Sequence, residues 1–224
     1  MIVWLVALGM TYSGWIRFKF RKQPELMPAV GDHFFLLLAG TVLVAICREF
    51  IVLPMQIPSE SMEPTITPGD IVLVDRITPA IAGLSYGDLL VFDDLEGNTV
   101  RLVKRIVGLP GDTIEYKNKE LFVNGKKEPV STSHSEGKLT QKVVDTEYGK
   151  QYQIQLDETL HRLDEGRWVV GRNEFFALGD NRDQSMDSRY FGMVGKDKIV
   201  GKAWMRIFSW RGGLSLPIPA LEIY

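Results

Sequence analysis

The stretch Ile57-Pro-Ser-Glu-Ser-Met-Glu-Pro-Thr-Ile-Thr-Pro-Gly69 separates two unlike parts of the 224-residue chain. Pro58 and Pro64 fix φ, remove backbone donors and bias the residues before them towards extended backbone, so the segment is neither a helix interior nor a central strand. It reads as a stiff loop carrying two hydroxyls, Ser59 and Ser61, with one residue between them. Loop serines ordinarily make local turns. A nucleophile among them has to be argued from what lies on either side.

Towards the N-terminus the chain is apolar. Residues 1–16, MIVWLVALGMTYSGWI, hold no charge, and as a helix they would measure about 24 Å at roughly 1.5 Å per residue, short for a membrane span but feasible where the bilayer thins. Trp4 and Trp15 suit the two interfaces. The rival reading, a cleaved signal peptide, is weakened by the lack of a basic residue before the apolar run and of a small-x-small site after it. Residues 17–33 carry four basic and two acidic side chains, which the positive-inside tendency assigns to the cytoplasm. Phe34 to Ile46 are again uncharged. Continued through Arg48 and Glu49 to Leu53, this second segment reaches about 20 residues, with both charges near the outer end, where long side chains reach the headgroups. The expectation is two transmembrane helices, 1–16 and 34–53, joined by a cytoplasmic loop at 17–33, with everything from about residue 54 outside the cytoplasm.

Towards the C-terminus the period changes. Ile71–Val74, Leu89–Phe92, Val100–Val107, Thr113–Tyr116, Leu121–Val123, Gln151–Gln155, Trp168–Val170, Phe175–Leu178, Ile199–Ala203 and Trp204–Phe208 are short apolar or alternating runs between Gly, Pro and Asp, and each reads as a strand. Asn124-Gly125 is a tight-turn signal. Apart from a short turn around Asp157–Leu163 no amphipathic helix of useful length appears, so the fold class is mainly β, an antiparallel sheet domain. Residues 54–112 and 173–224 form its core. Between them, 113–172 is polar and lysine-rich, with a loop-like Ser-Thr-Ser-His-Ser-Glu-Gly at 131–137, and reads as a β-rich insertion subdomain.

Beyond residue 54 the chain carries 21 basic and 25 acidic side chains, a mild acidity without a basic stripe that argues against nucleic acid as a partner. The single cysteine, Cys47, excludes an intrachain disulfide. His33, His134 and His161 are scattered, so neither a Ser-His-Asp triad nor a Cys/His metal cluster is readily assembled. A serine nucleophile here needs another base. In Val100-Arg-Leu-Val-Lys-Arg-Ile-Val107, alternation puts Val100, Leu102, Lys104 and Ile106 on one face, with the lysine the one polar member of an apolar row. Burial disfavours the ammonium, lowers its pKa and makes a neutral amine available as a general base; the plain alternative is a strand lysine whose head reaches solvent. Arg105 falls on the opposite face, where a carboxylate partner suits it. The third dense stretch, Gly179-Asp-Asn-Arg-Asp-Gln-Ser-Met-Asp-Ser-Arg-Tyr-Phe-Gly192, has acids and amides at Asp180, Asn181, Asp183 and Asp187, but the spacing is not that of an EF-hand loop and Arg182 sits in its middle. It reads better as a self-satisfying hydrogen-bond network, with Ser185 available to orient a neighbour. No metal or other cofactor is called for.

Three stretches in order, 57–65, 104–112 and 179–192, resemble the bacterial type I signal peptidases, membrane-bound serine proteases of the Ser-Lys dyad class. The resemblance covers about residues 34–208, loosely over the insertion. It implies Ser61 as nucleophile, Lys104 as general base and Ser59 as the oxyanion-hole hydroxyl beside the backbone N–H of Ser61. It implies that Ser185 orients the lysine amine and that Asp180 with Arg105, and Asp187 with Arg189, are supporting ion pairs. Met55, Ile57, Met62, Ile66, Val72, Val91 and Val103 correspond to small apolar substrate pockets for Ala-x-Ala-like residues. The implied partners are exported preproteins, membrane lipid and, by proximity, the export translocon; the implied place is the bacterial plasma membrane, multi-pass, with the catalytic domain on its extracytoplasmic side. Glu60, where relatives often have Gly, and Phe191, where they often have Trp, depart from the pattern. A specialised protease for one pilus or conjugation precursor shares every motif, and a non-enzymatic membrane-anchored adaptor is the reading of a different class.

Overall fold

The computed structural model describes residues 26–46, 51–81, 83–93, 100–146, 150–160 and 165–209. The chain divides into two compact units, Met1–Glu49 and Phe50–Tyr224. The first contributes helix α1, Leu26–Ile46. Phe35, Leu36, Leu37, Leu38, Leu43 and Val44 on it are each more than half exposed.

This helix and the strand that follows it revise the second apolar segment. Described from Leu26 to Ile46, the helix takes in residues 26–33, expected to lie in the loop. Val52 and Leu53 belong instead to strand β1, Val52–Gln56, whose backbone groups pair with Ile71–Asp75. The uncharged run within α1, 13 residues from Phe34 to Ile46, is about 20 Å of helix against a hydrocarbon core of about 30 Å. Among the described residues no helix is long and apolar enough to cross a membrane. The first expected span, 1–16, lies outside the described residues.

The second unit is antiparallel β throughout its main sheet. After β1 come β2 (Ile71–Asp75), a single-turn helix α2 (Thr78–Ile81), β3 (Leu89–Asp93) and β4 (Arg101–Gly108). The segment expected as an insertion supplies β5 (Thr113–Lys117), β6 (Glu120–Val123), β7 (Lys126–Lys127), β8 (Val130–Glu136), β9 (Leu139–Asp145), β10 (Gln151–Asp157) and β11 (Gly166–Val169). The chain then returns with β12 (Glu174–Leu178), a short helix α3 (Ser188–Phe191), β13 (Val194–Gly195) and the long bulged β14 (Ile199–Phe208). The main sheet has the order β1-β2-β14-β3-β4-β12-β13; β10-β9-β8 and β11-β5-β6-β7 form two smaller sheets.

Two readings change. The stretch at 131–137 is strand backbone as far as Glu136, because polar residues suffice where pairing with β9 satisfies the ladder. The two runs within 199–208 are one strand carried past its bulges. Asn124 and Gly125, both at positive φ, make the tight turn between β6 and β7.

The 113–172 segment packs onto the main sheet. Ile114, Tyr116, Leu121 and Val170 share one apolar cluster with Val107, Phe176 and Leu178 of the main sheet. Strand β10 also reaches the 179–192 loop, where the Gln155 N–H donates to the Asp180 carbonyl at 2.8 Å.

Candidate active site

The loop that opened the sequence reading is closed at its base by backbone bonds. Ile57 donates to the Asp70 carbonyl at 2.9 Å, and Gly69 donates to the Ile57 carbonyl at 2.7 Å. The buried Asp70 carboxylate accepts from the Thr67 N–H and hydroxyl, both at 3.0 Å, and meets Arg206 at 3.3 Å. Burial opposes the Asp70 anion, yet these donors hold its pKa below the usual carboxylate range. Within the loop Ile66 donates to the Met62 carbonyl, forming one helical turn that drives both side chains into the core. Ser61 sits at the start of that turn and is 8% exposed, whereas Ser59 and Glu60 are exposed.

Lys104 lies in the middle of β4, opposite Leu90 of β3. Its pleat face carries Leu102 and Ile106, which pack with Leu90, Phe92, Phe175 and Ala177; Val100, the fourth member of the expected row, precedes the strand and is exposed. The amine donates to Ser61 Oγ at 2.6 Å, and the Ser59 and Ser61 oxygens are 3.1 Å apart. Burial pulls the Lys104 pKa from 10.5 down to about 8; the Asp187 and Asp180 carboxylates pull the other way, and Arg189 adds to the lowering. About a tenth of the amine is therefore neutral at pH 7, touching a hydroxyl.

Arg105 points away from this contact. Its guanidinium takes both oxygens of Asp180, at 2.7 and 2.6 Å, donates to the Gly87 carbonyl at 2.7 Å and lies 4.3 Å from the centre of the Tyr152 ring. Asp180 also accepts from the Thr65 hydroxyl at 2.5 Å. Asp187 and Arg189 form a second buried bidentate pair, at 2.9 and 2.8 Å. Asp187 in addition accepts the Gly179 N–H at 3.0 Å, and Arg189 donates to the Arg182 carbonyl. Asp183 instead binds the Asp157 N–H and Lys119, so the acids of this loop are spread over separate donors.

Ser185 differs from expectation. It is 1% exposed, its hydroxyl has no hydrogen-bond partner among the described residues, and it makes no bond to the Lys104 amine. The reason lies in the packing around Gly179: a Cβ there would fall 2.2 Å from Ser185 Oγ and 2.5 Å from the Ser61 carbonyl oxygen, so Ser185 closes over the glycine. The apolar residues expected to line pockets are core in this structure. Ile57, Met62, Ile66, Val72, Val91 and Val103 are all buried and pack together with Val74, Leu89 and Ala203, with Met55 partly buried at the margin.

Sequence reasoning passed over Thr65, Tyr152 and Asn181. Thr65 and Tyr152 carry no local signal, since a threonine between prolines and a tyrosine in a polar strand acquire partners only on folding. Asn181 sits among acids, where its amide reads from sequence as one more cation-ligand type. The structure has its backbone N–H donating to the Ser61 carbonyl at 3.1 Å and its side-chain amide to the Glu60 carbonyl at 3.2 Å.

A nearly buried serine hydroxyl against a desolvated amine, on an antiparallel β scaffold, is the apparatus of a serine hydrolase that dispenses with histidine. Residues 31–210 match the family model described as "Signal peptidase, peptidase S26". Signal peptidase I of Pseudomonas fluorescens is 34% identical over 224 residues, covering 86% of this chain and 76% of that protein. Signal peptidase IB of Staphylococcus aureus strain Mu50 is 37% identical over 169 residues, covering 75% and 83%. The crystal structure of a signal peptidase I from Enterococcus faecalis V583 is 28% identical, covers 53% of this chain and 95% of that one, and has a TM-score of 0.33. The chain belongs to the signal peptidase family, peptidase S26. It is a peptidase, and signal peptides are the substrates for which its family, a membrane-associated one, is named.

Proposed function

We propose that this chain removes N-terminal signal peptides from exported preproteins by acyl transfer, with Ser61 as nucleophile and Lys104 as general base. The observation that carries the assignment is the 2.6 Å contact between the Lys104 amine and Ser61 Oγ in a buried setting that brings the amine to about pKa 8. In its neutral form Lys104 accepts the Ser61 proton as Oγ attacks the scissile carbonyl. The same proton then passes from the ammonium to the leaving amine, and water, deprotonated by the regenerated amine, hydrolyses the acyl-enzyme. The Ser59 hydroxyl and the Ser61 N–H are the donors for the oxyanion that forms on the carbonyl oxygen. Asp180 with Arg105, and Asp187 with Arg189, hold the loops that carry these groups. Ser185, closed over Gly179, keeps the 179–192 loop against the Ser61 carbonyl.

Ala-x-Ala-like residues preceding the cleaved bond meet the cluster of Ile57, Met62, Ile66, Val72, Val91 and Val103 at its partly exposed margin, Met55, where a close-packed core leaves room for small side chains alone. The exposed apolar side chains of α1 and the uncharged run at 1–16 support anchorage by two membrane segments. In that arrangement 17–33 faces the cytoplasm, the β unit faces outward from a bacterial plasma membrane next to lipid, and preproteins are met as they leave the export translocon. Confinement to the membrane plane supplies orientation, which lowers the entropic part of the barrier.

The test is cleavage of a preprotein by the full chain in detergent. Ser61→Ala and Lys104→Ala each reduce kcat by about 10³-fold or more, as loss of a nucleophile or its base does; near-normal turnover in both variants overturns the dyad.

A further inference from the structure

We infer that Asn181 is a positioning residue for the oxyanion site: it sets the aim of the Ser61 backbone N–H by holding the two peptide planes on either side of the Ser61 Cα. The inference rests on the dyad reading proposed above.

The Glu60 carbonyl and the Ser61 N–H belong to one rigid plane and point in opposite directions. A donor that fixes the carbonyl therefore fixes the direction of the N–H without touching it. The Asn181 side-chain amide is that donor, at 3.2 Å from the Glu60 oxygen. The following plane is fixed as well, since the Asn181 backbone N–H donates to the Ser61 carbonyl at 3.1 Å. With both planes held, φ and ψ of Ser61 are set, and with them the path of its hydroxyl towards a bound carbonyl.

Asn181 is itself immobile enough to serve. It is 2% exposed, bridges to Gln155 of β10, and accepts from the Gln184 N–H at 3.1 Å through its own carbonyl. The approach of the two segments depends on Gly179, two residues earlier, where a Cβ would lie 2.5 Å from the Ser61 oxygen. Loop 57–69, exposed at Ser59 and Glu60, is thus tied from beneath to a segment that the 113–172 strands hold. Ser61 N–H direction matters more than the strength of the Asn181 bonds, because an oxyanion donor acts only when aimed at the position the oxygen will occupy.

The experiment compares the full chain in detergent with Asn181→Ala, which removes the side-chain donor, and with Asn181→Asp, which keeps the shape but sets an acceptor against the Glu60 oxygen. The substrate is a peptide spanning an Ala-x-Ala site. Two probes accompany it: the same sequence ending in an aldehyde, which forms a tetrahedral adduct on Ser61, and the same sequence with a reduced scissile bond, which has no carbonyl. In both variants kcat falls by about 10- to 100-fold, a fraction of the loss on deleting an oxyanion donor. Aldehyde affinity falls in parallel, while KM and affinity for the reduced-bond peptide change by less than about twofold and, in the uncharged Ala variant, the midpoint of the pH–kcat profile stays where the wild type has it. Full kcat in the Asp variant overturns the inference. Equal losses for the aldehyde and the reduced-bond peptide also overturn it, since they report a displaced loop, and a moved pH midpoint in the Ala variant does so by reporting an effect on Lys104. Ser61→Ala and Lys104→Ala in the same assay separate the two levels: if they stay active the dyad reading has failed, whereas if they are inactive and both Asn181 variants are normal only the positioning role has.

Discussion

The two faces of strand β4 carry adjacent buried cations with opposite fates. Lys104, 3% exposed, meets a hydroxyl and no carboxylate at hydrogen-bond distance, and burial brings its pKa down to about 8. Arg105, 4% exposed, is equally desolvated, but the bidentate Asp180 outweighs that penalty and keeps it charged. One position along a strand separates a titratable base from a permanent structural ion. The lesson is that burial alone does not decide protonation; the first partner does. Residue type contributes too, because a guanidinium grips both oxygens of a carboxylate in a fixed fork whereas an ammonium is a point charge that readily gives up its proton.

The comparison breaks most visibly at Lys104. Lys104→Met removes activity by about 10³-fold or more while raising the stability of the fold by about 2 kcal/mol at pH 7, measured by urea denaturation, because a folded state that resists protonating the amine is relieved of that penalty. The sign follows from proton binding. The folded lysine titrates near 8 and the unfolded one near 10.5, so between those values the unfolded chain holds more protons, wild-type stability rises with pH, and the advantage of Met shrinks. A variant less stable than the wild type at pH 7 removes the account of a strained amine.

On the other face the sign reverses. Asp180→Ala leaves the Arg105 cation buried and unpaired and costs about 3 to 5 kcal/mol of stability, read from the same denaturation curves. A loss under 1 kcal/mol means the pair is not buried in solution.

Activity should follow the amine. Wild-type kcat/KM rises about tenfold per pH unit below a midpoint near 8 and then levels, as deprotonation of a single base requires. Asp187→Asn moves that midpoint to lower pH, since the Asp187 carboxylate favours the Lys104 ammonium and its removal leaves Arg189 to disfavour it. A midpoint that moves upward shows the base has been assigned to the wrong group.

The smallest effect belongs to the third cation of the strand. Arg101 pairs with Asp93 at 3.3 Å with both side chains well exposed, and Arg101→Ala changes stability by less than about 1 kcal/mol. Arg101 and Arg105 are the same residue type on one strand, so their different responses follow from exposure and partner.

Sequence by itself determined the β class, most strands from Ile71 onward but not those at 130–136 and 139–145, the three motif stretches and the face on which Lys104 lies, because alternation at period two and Pro-Gly punctuation are local signals. It also joined Ser61 to Lys104 through a family resemblance. Strand character at 131–136 and at Val52–Leu53 was not legible, since both are decided by partners elsewhere: β9 for the first, β2 for the second. The same holds within the site. Only the tertiary structure put Thr65 on Asp180, Tyr152 on Arg105 and Asn181 beneath residues 60 and 61, left Ser185 without a bond to the amine, and packed the apolar residues beside the loop into the core. Side-chain types and spacing announce which chemistry is available. Which group touches which, and therefore which cation keeps its proton, depends on contacts across 43 residues for the Ser61–Lys104 pair and 75 for Arg105–Asp180, and those distances are closed only by packing the core.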